Sequence, residues 1–277
     1  MGPPKAAFPP VFVINLRRST ERRSIMTGRL NQLGVDHSVF EAVDGQKLEL
    51  ETASVYDGAR RRMLFGRDMT KGELGCLLSH RAIYQAIVDR DIEKAVILED
   101  DTILSTDFPD VVRALIELPV VWDMVRFLDN EKIYKKCRDI GPLCGAYTLI
   151  RPATTSGGGH AYLVTQNGAR HLLRHTRQNY LPIDILHSYV WRTGLEIFAV
   201  KPSPAVRDMV IESTMEGTRF IKQLQISGWW KAIYPATRLW LRLSEWAGKR
   251  SSYWLSWPAD LRNRRRLNIR YRQFETR

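Results

Sequence analysis

A short apolar run, Ala95-Val96-Ile97-Leu98, gives way abruptly to three acids, Glu99-Asp100-Asp101. A run of that length reads as a strand buried in a sheet. Three adjacent carboxylates repel one another at each step of ionisation, so the strand must deliver them to a rim where a cation or water can face them. The rest of the chain supplies the sheet. Val11 to Ile14 is a second buried strand. Ser19 is placed to cap a helix to about Leu33, with Ile25, Met26 and Leu30 turned inward. A strand over His37 to Val43 ends at the turn signal Asp44-Gly45, and residues 46–69 read as polar and irregular. Thr70 with Glu73 has capping-box spacing and predicts a helix to about Asp89. Further strands are expected at 123–128, 146–150, 160–165 and 195–200, with a flexible stretch at 156–159. Helices are expected from Gly168 to Arg177, capped by Asn167, and from Pro182-Ile183-Asp184. This alternation predicts an α/β layered fold with a mostly parallel sheet. In such sheets ligands bind outside the carboxyl ends of the strands, which is where the acidic triplet stands.

Three segments carry chemistry. Hard divalent ions take oxygen ligands, and Mg²⁺ or Mn²⁺ commonly uses one or two carboxylates plus substrate phosphates, so Glu99, Asp100 and Asp101 are candidate ligands. A solvated acidic turn is the competing reading. The second segment runs from Gly72 to His80 (GELGCLLSH). On a helix Glu73, Cys76 and His80 share a face, with Ser79 beside them. The two glycines weaken the first turns unless a ligand or another backbone approaches closely. A helix start also suits phosphate oxygens. Without that approach, a packed helix with a satisfied His80 and a small buried Cys76 is expected. The third segment, Asn15 to Arg23, sets an amide and several guanidinium groups, Arg22 among them, at a strand-to-helix junction suited to a base, ribose or diphosphate. An exposed helix face with Glu–Arg pairs is the alternative.

Together these segments resemble bacterial glycosyltransferase family 25, the lipooligosaccharide galactosyltransferases, and the related collagen galactosyltransferases. The chain shows Ile14-Asn15-Leu16 with Ser19 and Arg22-Arg23, then Ala42-Val43-Asp44-Gly45, then Gly72 to His80, then Ile97 to Asp101, in the family's order and spacing. Looser matches follow at Ala161-Tyr162, Gly168-Ala169, Pro182-Ile183-Asp184 and Ser213, so the likeness covers about residues 11 to 215. Arg17 departs from the family's usual Asp, and Arg207-Asp208 falls near its usual Gln. The resemblance implies a GT-A-type fold, a single Rossmann-type mixed sheet flanked by helices. It also implies inverting transfer of a hexose, usually galactose, from a UDP-sugar, assisted by Mn²⁺ or Mg²⁺.

In-line displacement of a diphosphate needs the leaving charge neutralised and the acceptor hydroxyl deprotonated. Asp101 is the expected metal ligand, with Glu99 and Asp100 near the metal or ribose. Asn15, Arg22, Asp44, Gly45, Gly72, Glu73 and Ser79 are the expected donor-binding set. Asp184 is the first candidate base, with a helix N-cap as its alternative role. Glu212 and His80 follow as bases, and His160 or His187 could complete the metal site.

Charge divides the chain. Of the net +12, residues 221–277 carry +10, from 13 Lys or Arg against three acids, together with six of the eight tryptophans. The expected boundary therefore separates a catalytic domain, 1–220, from a basic Trp-rich helical extension, 221–277. In the extension Ala236, Leu239, Trp240, Leu243, Trp246 and Ala247 share one helical face, with Arg238, Arg242, Glu245 and Lys249 opposite. Trp and Leu opposed by basic residues suit an anionic membrane surface, and Arg264-Arg265-Arg266 suit phosphate or headgroups. A helical layer packed on the body is the alternative. A nucleotide-sugar donor and a lipid-linked oligosaccharide acceptor are therefore expected, on the inner face of the cytoplasmic membrane. A nucleic-acid-binding reading of the basic tail leaves the acidic strand end unexplained and finds no named motif, so no nucleic-acid partner is expected. An inactive assembly protein of the same family is the remaining alternative. No membrane span, secretory leader or myristoylation pattern is expected. Three cysteines with no tight pair argue against disulfides and against a structural zinc site.

Overall fold

The computed structural model describes residues 7–50, 54–153, 157–208, 226 and 228–275, the last six as backbone alone. Alternation within the strands builds two cores. In β1 (Val11–Asn15) and β3 (Lys94–Glu99), Val11, Val13, Val96 and Leu98 point to one face of the sheet. Phe12, Ile14, Ala95 and Ile97 point to the other. The first face is covered by α1 (Thr20–Gln32) through Met26 and Leu30, and by α4 (Phe108–Ile116). The second is covered by α3 (Lys71–Asp89) and α6 (Gln166–His175). Ile25 is more exposed than expected, because only the Met26–Leu30 spacing meets the sheet.

The sheet has eight strands in the order β2-β1-β3-β8-β5-β9-β7-β6. These are β2 (Ser38–Glu41), β5 (Met124–Arg126), β6 (Cys137–Cys144), β7 (Tyr147–Pro152), β8 (Ala161–Thr165) and β9 (Ile197–Lys201), with β1 and β3. The predicted α/β class holds, and helices flank the sheet on both faces. The sheet is mixed rather than mostly parallel: β8 lies antiparallel between β3 and β5, and β7 and β6 close the edge antiparallel. Residues 46–69, read as irregular, contain α2 (Gly58–Phe65), capped by Asp57 and closed by Gly66 in the left-handed region. Asn167 does not cap α6; Thr165 accepts from the Gly168 amide instead. Asn167 turns to Asp123 at 2.7 Å.

Two features position the site. The capping box forms as predicted: Glu73 N–H donates to Thr70 Oγ1 at 3.1 Å, and Thr70 N–H to Glu73 Oε2 at 2.8 Å. Gly75 then lets α3 touch the Ala42–Gly45 turn. A Cβ there would lie 2.8 Å from Val43 O and 2.9 Å from Gly45 N, so both glycines serve the approach of two backbones. Beyond β3, Asp100 and Asp101 form a turn into β4 (Thr102–Leu104), which pairs antiparallel with β10 (Ala205–Arg207). The register sets Arg207 opposite Thr102, beside the acids.

The expected boundary at 220 falls outside the described residues. Beyond it, α9 (Trp230–Leu255) lies on the second face, against α2 and α8 (Val190–Thr193), and buries Leu241. α10 (Trp257–Glu275) lies against β6 and buries Leu267 in the first core. No described helix is long and apolar enough to cross a membrane.

Candidate active site

A cavity of about 620 Å³ opens at the carboxyl ends of β1 and β3. Its floor is the acidic turn, and its walls are the β1–α1 junction, the Ala42–Gln46 turn and the start of α3. Five cationic side chains line it: Arg18, Arg22, Arg67, Lys71 and Arg207. A second cavity of about 300 Å³ adjoins it, lined by Gly157 to His160, Asp184 of α7 (Ile183–His187) and Glu73. Cys76, Glu99 and Arg207 border both cavities.

The three acids have separate surroundings. Asp100 accepts from Asn15 Nδ2 at 2.6 Å and pairs with Arg22. Burial raises its pKa to about 6 against the opposing pull of Arg22 and Asn15, with Asp101 and Glu99 pushing it up further. Asp101 accepts from Arg207 Nε at 3.0 Å through Oδ2, which also lies 3.4 Å from Arg22. Its Oδ1 is buried and has no hydrogen-bond partner among the described residues. Burial and then the Glu99 charge raise the Asp101 pKa, with Arg207 and Arg22 opposing. Glu99 sits 3.6 Å from His80 Nε2. Burial opposes its ionisation, but His80, and then His160, hold its carboxyl below the ordinary value.

Asp100 makes stability depend on pH. Between 3.8 and about 6 the folded protein keeps a proton that the unfolded chain has lost, so this group's contribution to stability falls as pH rises through that window. Asp100→Asn removes the contribution. Thermal melts across the window are expected to show the variant gaining on wild type as pH rises; parallel melting curves would contradict the assignment.

Residues 8–187 match the glycosyltransferase family 25 (LPS biosynthesis protein) model, about two thirds of the chain. The chain belongs to glycosyltransferase family 25. Its relatives include procollagen galactosyltransferase 2 of Mus musculus, 32% identical over 42% of this chain and 19% of the relative. Procollagen galactosyltransferase 1 of Danio rerio is 30% identical over 65% of this chain and 31% of the relative. A probable inactive glycosyltransferase 25 family member 3 of Bos taurus is 28% identical over 72% and 37%. The chain thus spans between a fifth and two fifths of the length of the relatives it matches. Among solved structures, a Drosophila β-1,4-galactosyltransferase 7 mutant in complex with manganese, UDP-Gal and xylobiose aligns over 82% of this chain and 79% of its own. The identity is 13% and the TM-score 0.40, too loose a likeness to add to the assignment.

The family 25 residues fall into three groups. Arg22, Asp44, Gly45, Gly72, Ser79, His80, Glu99, Asp100 and Asp101 all line the larger cavity. Within this group, Asp44 accepts from the Gln46 amide at 3.0 Å and pairs with Arg18. The Ser79 hydroxyl donates to Gly75 O at 2.7 Å and accepts from Val43 N at 2.8 Å, so it ties the turn to α3. Asp184, Glu73 and His160 border the smaller cavity. Glu73 is held by its capping box, and Asp184 is not an N-cap: that position is Pro182, and Asp184 accepts from the Ile185 and Gly158 amides at 2.8 and 3.4 Å.

Two expected site residues lie in neither cavity. Asn15, placed at the nucleoside by sequence, is 2% exposed and its amide nitrogen is taken by Asp100 and Ser19 O, so it orients Asp100 from behind. His187, a candidate metal ligand, is buried behind Tyr84 and Tyr162, and burial lowers its pKa well below the usual value. Glu212 and Ser213 lie outside the described residues. Arg207 was missed as a site residue: its signal is the β4–β10 register, which local sequence does not carry.

Proposed function

We propose that this chain transfers a hexose, galactose for preference, from a UDP-sugar to a glycan acceptor with inversion, the donor lying in the larger cavity and the acceptor in the smaller. The observation that carries this reading is the buried Asp101 Oδ1, without a hydrogen-bond partner among the described residues, on the floor of an arginine-lined cavity. An orphaned carboxylate oxygen beside Glu99 offers hard oxygen donors, which fits Mn²⁺ or Mg²⁺. When bound, that ion supplies neutralisation of the charge growing on the leaving diphosphate.

The side chains supply the rest. Arg207 and Arg22 fix the Asp101 carboxylate through Oδ2, so Oδ1 is the oxygen that would hold the cation. Arg18, Arg67 and Lys71 stand where phosphates would lie, beside the first turn of α3. Asp184, across the junction formed by Glu99, Cys76 and Arg207, takes the acceptor hydroxyl proton on its carboxylate. The names of the procollagen galactosyltransferase relatives favour galactose as the sugar.

Thermal-shift screening of UDP-sugars with and without Mn²⁺, followed by labelled-sugar transfer, tests the reading. A metal-dependent shift with turnover supports it. A shift without turnover would place the chain with its inactive relatives, and no shift with any nucleotide sugar would overturn it.

The C-terminal helices support a lipid-linked acceptor, on the inner face of the cytoplasmic membrane. They pack on the body, yet their Trp and Leu side faces outward: Leu239, Trp240, Leu243 and Trp246 are each 57–58% exposed. Trp254, Leu255, Trp257 and Leu261 extend the patch, and Arg242, Arg250, Arg262, Arg264, Arg265 and Arg266 are exposed with it. Each basic residue near an anionic surface contributes about 1 kcal/mol. The protein is expected to float with anionic liposomes and not with neutral ones, losing binding as salt rises. The triple variant Trp240→Ser, Leu243→Ser, Trp246→Ser is expected to stay behind; its unchanged flotation would refute the surface.

A further inference from the structure

His80 has a nitrogen that the proposed reaction leaves unexplained. The side chain is 0% exposed, and its Nε2 has no hydrogen-bond partner among the described residues. That atom points to the junction of the two cavities, 3.6 Å from Glu99 Oε1. Cys76 stands one helical turn earlier on the same face of α3. One ligand atom from each of Cys76, His80 and Glu99 lies within 4.8 Å of the other two. Zinc binds sulfur at about 2.3 Å and nitrogen or oxygen at about 2.0–2.2 Å, so tetrahedral ligands sit roughly 3–4 Å apart. The histidine–glutamate separation falls in that range.

The second shell is already built. His80 Nδ1 lies 2.6 Å from the Tyr162 hydroxyl, which lies 2.7 Å from the Tyr84 hydroxyl, which lies 2.7 Å from His187 Nε2. Hydrogen bonds can run along this buried chain in either sense. If His80 Nδ1–H donates to Tyr162, the lone pair of Nε2 is directed at the junction. A metal-bound histidine is commonly fixed in this way by a partner on its other nitrogen. The reverse sense aims an N–H at Glu99, so a cation would select the first.

We propose that Cys76, His80 and Glu99 form a site for a zinc-class divalent cation, beside the all-oxygen position at Asp101 and sharing Glu99 with it. The donor set decides the class: sulfur, imidazole and one carboxylate suit zinc, whereas Mn²⁺ and Mg²⁺ prefer oxygen alone. Three protein ligands leave a fourth position facing the cavities for water or a substrate oxygen. The sequence argued against structural zinc because its cysteines are unpaired; the fold supplies a histidine and a glutamate in their place. Because Glu99 borders both cavities, an ion there also closes the passage between them.

The test reads metal directly, so its failure is distinct from a failure of the transferase reading. The full chain, stripped with chelator, is titrated with cobalt(II) and then with zinc. A stoichiometric thiolate-to-cobalt charge-transfer band in the near ultraviolet, abolished by zinc, is expected. Cys76→Ser should remove the band, while Asp101→Asn and Cys137→Ser should keep it. Tyr162→Phe, which removes the partner of Nδ1, should weaken zinc binding by about tenfold. No band in folded wild-type protein, or a band that survives in Cys76→Ser, overturns the site. Alkylation mapped by mass spectrometry needs no variant: zinc should protect Cys76 and leave Cys137 reactive, and equal labelling with and without zinc overturns the site as well.

Discussion

Asp101→Asn is expected to reduce sugar transfer from UDP-sugars by about 10²–10³-fold while leaving the protein at least as stable as wild type. The loss follows from removing the carboxylate that would hold the cation neutralising the leaving diphosphate, and losing one preorganised electrostatic group costs about that much in dissected active sites. The stability follows from the surroundings of the carboxylate. Burial and the neighbouring Glu99 charge both disfavour the ionised form of Asp101, so a neutral isostere relieves strain in the free protein. The amide oxygen can still accept from Arg207, whose bond to Asp101 Oδ2 is 3.0 Å. Arg22 keeps its pairing with Asp100. Transfer rates and thermal melts on the same preparation check both halves. A rate within a few-fold of wild type would show that Oδ1 holds no catalytic cation. A large loss of stability would show that Asp101 is instead a structural partner of its arginines.

Such opposition between activity and stability is typical of a site where the fold holds like charges together. It also explains why the site was legible. The Glu99–Asp101 triplet ends a run whose every residue is fully buried, and nothing in local sequence rewards three acids there. The capping box was legible for a similar reason, since both of its bonds lie within four residues. The glycines of the Gly72–His80 segment predicted a close approach, and the approach found at Gly75 is a backbone.

The unread parts depend on distance along the chain. Arg207 reaches Asp101 across 106 residues through a two-stranded pairing. Nothing local marks β8 as antiparallel, because a buried strand of Ala, Tyr, Leu and Val reads the same in either direction. β6 was missed because its sequence, with Gly141 and Pro142 in the middle, resembles a loop; its partner β7 tolerates them with register shifts on either side. Asn15 was placed on the ligand because a polar residue ending a buried strand looks functional. It reaches the cavity only at one remove, through Asp100.

The C-terminal helices supply the largest expected effect on stability. Asp260→Ala is expected to destabilise the protein by about 3–5 kcal/mol, because it leaves two mostly buried guanidinium groups without their shared carboxylate. Asp260, 2% exposed in the first turn of α10, accepts from Arg151 Nε and Nη2, both at 2.7 Å, and pairs with Arg138. Burial opposes the charge on Arg151, but Asp260 and then Glu196 more than offset it and hold its pKa above the ordinary value. Arg138 is further clamped between aromatic faces, 4.2 Å from the Tyr253 ring centroid and 4.4 Å from that of Trp257. The clasp joins β6 and β7, at the edge of the sheet, to both helices that carry the exposed tryptophans. Its loss should therefore loosen the helical layer before the sheet. Limited proteolysis of the variant is expected to release a C-terminal fragment while the 7–208 body still binds UDP-sugar. Denaturant titration measures the size of the effect, and a change under about 1 kcal/mol would mean that Tyr253 O, Glu196 and the aromatic rings suffice to hold the two arginines. Asp260→Asn keeps an acceptor for Arg151 and should fall between the two. That graded series separates the buried charge from the hydrogen bonds, which alanine alone cannot do.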